Sequence, residues 1–179
     1  MITIMVLMMK VPHGDQWAEL VKLWPVFISY LLSFVYIGIY WVNHHHLVHL
    51  VRHVSARVMW ANLHLLFWLS VIPFVTAWMG ENHFSKNPTV LYAVVVLMAG
   101  IAYDLLVRAI RHANQEKNLP GYANANNHKG NFSLFLYAVA IATAFVHTGI
   151  SFAIFVVVAV MWFIPDKRIE QALNLTNPH

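Results

Sequence analysis

The sequence predicts an all-α polytopic membrane protein, a single bundle of six transmembrane helices of which the first is truncated. Its 179 residues are 60% hydrophobic and 10% charged, whereas a soluble domain carries roughly 25% charged residues. Because the sequence contains no cysteine, disulfides, thiolate metal sites and cysteine nucleophiles are excluded. The basic residues are spread between apolar segments rather than clustered, so we expect no nucleic-acid partner.

The first predicted element, residues 1–11, is almost entirely apolar; Lys10 lies near its end and Pro12 follows it. A bilayer core of roughly 30 Å needs about 20 helical residues at about 1.5 Å each, so this segment covers about half of it. It is either an interfacial segment or the second half of a spanning helix. The next residues, 11–23, are polar enough to form a loop or a short amphipathic turn.

Five further apolar runs follow along the chain. Pro25 suits the first turn of its helix, where a missing N–H removes no hydrogen bond. Pro73 lies inside a run and predicts a kink, because it removes one backbone hydrogen bond. Asp104 and Arg108 can pair at i,i+4 on one helix. The five predicted spans are residues 24–51, 58–79, 89–112, 131–147 and 150–164.

Polar segments separate or follow these spans. Residues 113–130 contain Pro-Gly and Asn-rich turn signals, which predict an extramembrane loop. Residues 147–149 predict a tight turn between the fifth and sixth spans, and residues 165–179 form a polar tail.

Lysine and arginine residues determine the predicted orientation, because cytoplasmic loops carry an excess of them. Three lie on one side: Lys10, Lys22 and Lys86. The opposite side has Arg52, Arg57, Arg108, Arg111, Lys117, Lys129, Lys167 and Arg168. The tail and the 113–130 loop are therefore predicted to be cytoplasmic. With an even number of spans, the N-terminus is predicted to be cytoplasmic as well. This count includes residues 1–11 and therefore favours a true span over an interfacial segment.

A histidine cluster occupies the end of the second span. Asn43 precedes His44, His45 and His46, and two more histidines, His49 and His53, follow at helical spacing. Two interpretations remain open. Imidazoles at this spacing can bind Zn²⁺, which would make a divalent-metal site of His45, His46, His49 and His53. With no cysteine and no nearby carboxylate, we favour an inter-helix polar network of Asn43, His44, His45 and His46.

Several functions are disfavoured by what the sequence lacks. No span has an unpaired central charge, which argues against a proton-coupled carrier. There is no Thr-Val-Gly-Tyr-Gly-like filter, and no nucleotide-binding, serine-hydrolase or zinc-protease motif, so we predict neither an enzyme nor a cofactor. Thr3, Ile4 and Leu7 share one face of the first helix. Their spacing alone indicates ordinary packing in the bundle.

Four stretches resemble the prokaryotic transmembrane-protein-175 family of potassium channels. The first is Ile2-Thr3-Ile4-Met5-Val6-Leu7, and the second is the run Tyr30–His46 with its Asn-His-His-His end. The third, Asn62–Glu81, includes Ile-Pro-Phe and Gly-Glu elements, and the fourth is Phe163–Glu170. The family's Phe-Ser-x-x-x-Asp signature lies on the first half of its first helix and would precede Met1.

The resemblance implies a channel fold of an unusual type, permeable to K⁺, in a bacterial inner membrane. It implies a homotetramer in which the first helix of each subunit lines a central pore. The restriction would be a stack of apolar side chains, with Thr3, Ile4 and Leu7 facing the pore. The alternative functions are a histidine-based divalent-metal transporter or sensor, and a non-conducting structural membrane protein.

Overall fold

The computed structural model describes residues 2–7, 9, 11, 16–49, 51, 54–113 and 128–163. This part of the chain contains helices and no strand, which confirms the predicted all-α class. The helices are α1 Ile2–Leu7, α2 Trp17–Lys22, α3 Trp24–His49, α4 Ala56–Glu81, α5 Lys86–Ala113, α6 His128–Ala144 and α7 Thr148–Phe163. Helices α3, α4 and α5 are long and apolar enough to cross a membrane, and α7 is a shorter apolar helix.

Most predicted boundaries of the five later spans differ from the structure by one to three residues, and two of the differences change the assignment of a loop or turn. Helix α6 begins at His128, so residues 128–130 are helical rather than part of the 113–130 loop. The turn before α7 covers residues 145–147 instead of 147–149. The turn ends at His147 because this side chain caps α7: its Nδ1 atom accepts a hydrogen bond from the Gly149 N–H at 3.1 Å. Residues 114–127 and the 165–179 tail lie outside the described residues.

A capping hydrogen bond marks the start of α4, and a proline lies in the first turn of α5. Ser55 precedes α4 in an extended conformation, and its side chain accepts a hydrogen bond from the Val58 N–H. Pro88 lies in the first turn of α5, where proline is tolerated. Helix α4 continues through Pro73.

The Asp104 and Arg108 side chains of α5 form an ion pair of 2.7 Å, as their spacing predicts.

The turn between α4 and α5 has an unusual backbone. His83 and Phe84 have φ angles of 49° and 56°, a left-handed conformation that is unfavourable for residues with side chains. The Phe84 ring packs 5.1 Å from Phe152 and 6.0 Å from Trp24, measured between ring centroids. This aromatic cluster joins the α4–α5 turn to α3 and α7, and it compensates for the backbone conformation.

Packing follows the order of the chain for most pairs of helices. Helix α4 packs on α3 and α5, α6 packs on α5 and α7, and α7 closes the bundle against α3. Tyr36, Tyr92 and Phe155 are among the largest fully buried side chains. The Tyr92 and Phe155 rings meet edge-on at 5.1 Å. Helix α1 packs on α3 and α4, at one side of this bundle.

Helices α3 and α4 approach each other closely at Gly80. A Cβ atom there would meet the Ser29 hydroxyl oxygen and would lie 2.8 Å from the Val26 Cα. Small residues at such crossings let helix backbones pack closely, which is a main source of association energy in a bilayer. Gly38 on α3 provides the contrast, since a Cβ atom there would meet nothing within 4 Å.

We predict that Gly80→Ala destabilises the protein and Gly38→Ala does not. The Gly80 substitution forces two backbones apart and should lower the free energy of unfolding by about 1–3 kcal/mol. The Gly38 substitution adds a helix-favouring residue in open space and should leave it within about 1 kcal/mol of the wild type. Reversible unfolding in mixed micelles measures both. Equal losses in the two variants would contradict the close approach at Gly80.

Candidate pore helix and the polar contacts around it

Helix α1 presents a face that the rest of the subunit leaves uncovered. Thr3 is exposed, and Leu7, one turn later, has 79% of its surface accessible. The helix nonetheless packs on α3 and α4 along its other side. The Ile4 side chain lies outside the described residues. Two of the three residues that the resemblance assigned to a pore therefore lie on the outer surface of the single subunit.

A buried group of hydroxyls, the Ser33–Thr76–Tyr92 cluster, joins α3 and α4, the helices on which α1 packs, to α5. The Ser33 hydroxyl lies 2.7 Å from the Thr76 hydroxyl and 3.0 Å from the Tyr92 hydroxyl. These side chains come from α3, α4 and α5, and all three are buried. Thr76 also donates to the Ile72 carbonyl within its own helix. In a bilayer no water competes for these groups, so the cluster fixes the relative placement of three helices.

Further polar contacts attach α6 and α7. The Tyr36 hydroxyl donates to the Phe155 carbonyl at 2.7 Å, which ties α3 to α7. Ser151 donates to the Ala140 carbonyl at 2.8 Å, within the α6–α7 hairpin. At its other end, the Trp162 indole N–H donates to the Ser133 hydroxyl at 2.8 Å. Each hydrogen bond satisfies a polar group that would otherwise face an apolar interior.

The histidine cluster divides in the structure. His44 Nε2 lies 2.7 Å from Asn62 Oδ1, a contact between α3 and α4. Asn43 donates to the Ile39 carbonyl of its own helix. His45 is exposed and stacks on Trp41, with His46 edge-on to it at 6.1 Å. Within the predicted network, His44 contacts Asn62 of another helix through its side chain, and the Asn43 carbonyl accepts a hydrogen bond from the Tyr103 hydroxyl of α5 at 3.4 Å.

The proposed metal ligands are described only in part. Among the residues that the structure covers, no group of three histidine, aspartate or glutamate side chains could hold a metal ion. His53 and the side chain of His49 lie outside that part of the chain. The four-histidine site therefore stays a prediction, and we build no mechanism on it.

Sequence reasoning missed Tyr92 and the stripe of polar residues along α3. Ser29, Ser33, Tyr36 and Tyr40 recur at i, i+4, i+7 and i+11, which places them on one helix face. Ser29, Ser33 and Tyr36 are buried. The periodicity was a usable signal, because a buried polar stripe on an apolar span marks the face that meets other helices.

We predict that Ser33→Ala lowers the free energy of unfolding by about 1–2 kcal/mol, since it leaves the Tyr92 hydroxyl without its partner. Ser70→Ala is the matched control. Ser70 is exposed on α4 and donates to the Phe67 carbonyl of its own helix, so its loss should change stability by less than about 0.5 kcal/mol. Unfolding in mixed micelles compares them, and indistinguishable variants would refute the structural role of the cluster.

Comparison with known proteins extends these observations to a family. The sequence profile described as "Endosomal/lysosomal potassium channel TMEM175" matches residues 1–73. A protein named potassium channel from Chryseobacterium sp. (strain P1-3) is 44% identical over 173 residues, which are 97% of this chain and 90% of that protein. Another potassium channel, from Chamaesiphon minutus, is 29% identical over 89% of this chain and 84% of its own length.

A solved structure gives the same result at the level of the fold. The crystal structure of a lysosomal potassium-selective channel TMEM175 homolog from Chamaesiphon minutus superposes with a TM-score of 0.79 at 27% identity. The superposition covers 90% of this chain and 87% of that one. The resemblance seen in the sequence is confirmed: the chain belongs to the TMEM175 family of membrane channels.

Proposed function

We propose that the protein is a K⁺-selective channel that conducts passively through a central pore lined by α1. Relatives named potassium channel support the permeant ion. The observation that carries the pore assignment is the outer face of α1, where Leu7 is 79% accessible and Thr3 is exposed. As a member of a channel family the protein needs no catalytic step, and we assign it no enzyme activity and no cofactor.

The pore would form between subunits. Helix α1 is six residues long, about 9 Å at the usual rise, and lies at one side of the bundle. The exposed face of a single α1 helix cannot surround an ion. When several subunits are arranged around a symmetry axis, their α1 helices can form a closed ring. By the resemblance to the family we assign a homotetramer. Its α1 helices would line the axis, while the outer apolar surface contacts lipid.

The chemistry of the face suits an apolar restriction. Rings of Leu7 and Ile4 would gate by dewetting, since a narrow apolar ring holds water and ions poorly. A ring of Thr3 hydroxyls, one turn from Leu7, would replace part of the ion's hydration shell. Selectivity would then come from the cost of partial dehydration at the restriction rather than from a filter of backbone carbonyls.

The same proposal places the protein in a bacterial inner membrane with both termini in the cytoplasm. Arg108 and Arg111 lie at the C-terminal end of α5, and an excess of basic residues is expected on the cytoplasmic side. The C-terminal ends of α3 and α7 and the N-terminal end of α6 would lie on this side as well.

We predict that Leu7→Ala gives a higher unitary K⁺ conductance and a lower K⁺/Na⁺ permeability ratio. The shorter side chain widens the apolar ring. Lowering the free-energy barrier to ion passage by about 1.4 kcal/mol raises the rate of passage about tenfold. A smaller reduction of the barrier should therefore raise the K⁺ conductance several-fold. Single-channel recording in planar bilayers with bi-ionic solutions measures both quantities.

The matched control is Leu20→Ala, which removes the same atoms from another exposed leucine, on α2. It should leave both quantities at their wild-type values. Unchanged currents in Leu7→Ala would overturn the pore assignment. Absence of K⁺ current in the wild-type protein would instead favour a non-conducting membrane protein.

We further predict that native mass spectrometry of the detergent-solubilised protein gives a complex of four subunits of 20.5 kDa each. The reason is the uncovered apolar face of α1, which a single subunit would leave unpartnered within the membrane. A monomer as the sole species in several mild detergents, with K⁺ flux retained, would contradict the tetramer.

A further inference from the structure

A cavity lies inside the subunit, away from α1. It is partly open, it is lined by residues of α3, α5, α6 and α7, and its volume is about 40 Å³, room for roughly three water molecules. Its polar residues come from one end of the bundle, near the C-terminal ends of α3, α5 and α7. The residues that carry the argument are Tyr40, Asn43, Gly100, Asp104, Leu134 and Trp162.

Aromatic rings make up much of the cavity wall. Tyr40 and Tyr103 meet edge-on with centroids 6.1 Å apart, and Tyr36 and Tyr137 are 6.2 Å apart. Trp162 completes the wall, and the Lys129 ammonium already lies 5.1 Å from its ring centroid. Aromatic faces attract ammonium groups through their quadrupole, and the attraction strengthens away from water. The rim of this wall therefore already accommodates one ammonium of the protein.

Among the residues that line the cavity, Asp104 is the one that is charged at neutral pH, because the other polar members are tyrosine, asparagine, serine and tryptophan. The Asp104 side chain is 20% exposed. Its ion-pair partner Arg108 is 70% exposed, and the pair uses the carboxylate oxygen Oδ2. An ionised carboxylate has two oxygens and can accept hydrogen bonds from more than one donor. A second cation that approaches from the cavity can therefore bind Asp104 while Arg108 stays paired with it.

We propose that this cavity is a binding site for a small primary alkylammonium ion. The ammonium donates hydrogen bonds to the Asp104 carboxylate and lies near the aromatic wall. The short alkyl body packs against Leu134 and Ile39. None of the lining residues belongs to α1, so the site is separate from the proposed pore and its occupancy does not depend on the proposed function.

Gly100 keeps the cavity open. A Cβ atom there would lie 2.8 Å from the Leu134 Cδ2 and 3.6 Å from the Tyr40 hydroxyl. The end of a leucine side chain can move, so Gly100→Ala should displace Leu134 and reduce the space for a ligand while the Asp104 charge is kept. This variant tests the shape of the site independently of its charge.

The test is thermal unfolding of the full chain in detergent micelles at constant KCl, titrated with n-butylammonium chloride. A ligand that binds the folded protein raises the midpoint in a concentration-dependent way. We expect butylammonium to raise it, while n-butanol and sodium butyrate, of similar size but neutral or anionic, do not. Equal protection by butanol would overturn the proposal, because the cavity would then select only for apolar shape.

Variants locate the site. Asp104→Asn should weaken the apparent affinity about tenfold or more, as expected for loss of a charge-assisted contact. Gly100→Ala should weaken it with the charge intact, and Gly38→Ala should not. Glu19→Gln is the matched charge control, because Glu19 forms an exposed ion pair with Lys22 on α2. Wild-type affinity in Asp104→Asn, or an equal loss in Glu19→Gln, would refute the site.

Discussion

The structure depends on hydrogen bonds made where no water can replace them. Ser33 is bonded to both Thr76 and Tyr92, and each of the three residues comes from a different helix. Apolar surface alone does not select one arrangement of helices in lipid, since lipid tails are as apolar as leucine. The Ser33–Thr76–Tyr92 cluster makes one arrangement of α3, α4 and α5 more favourable than its neighbours. Close packing at Gly80 then fixes the distance between two of these helices.

The placement of α1 follows from that arrangement. A six-residue helix has too few residues to be stable alone, so its position is set by what it packs against. It packs on α3 and α4. These two helices are joined by the hydrogen bond between Ser33 and Thr76, and they approach each other closely at Gly80. A displacement of this pair would move Thr3 and Leu7 relative to any shared axis. The buried polar cluster therefore supports the candidate pore face without being part of it.

The sequence was sufficient to predict the fold class and most helix positions, because long apolar runs bounded by charges have few alternatives in a bilayer. It was insufficient where the orientation of one side chain decides a helix boundary or a hydrogen-bond partner. Gly149 suggested a turn, yet the His147 side chain caps α7 at that point. His44 was placed in a polar network, but its partner Asn62 lies 18 positions away and no local spacing connects them. The Asp104–Arg108 pair was predictable because both residues lie on one helix.

Helix α3 contributes residues both to the Ser33–Thr76–Tyr92 cluster and to the wall of the cavity. Ser33 lies in the polar cluster that supports α1, while Tyr40 and Asn43, two and three turns further along, line the cavity. A ligand in the cavity would contact the same helix, α3, that takes part in the packing of α1. The ligand can alter conduction only if the protein has two states that differ in the position of α3, and if the ligand binds one state more tightly than the other. A ligand with equal affinity for both states does not change their populations. The buried hydrogen bonds of Ser33 and Tyr36 resist such a movement. Binding in the cavity should therefore stabilise the bundle more directly than it changes conduction.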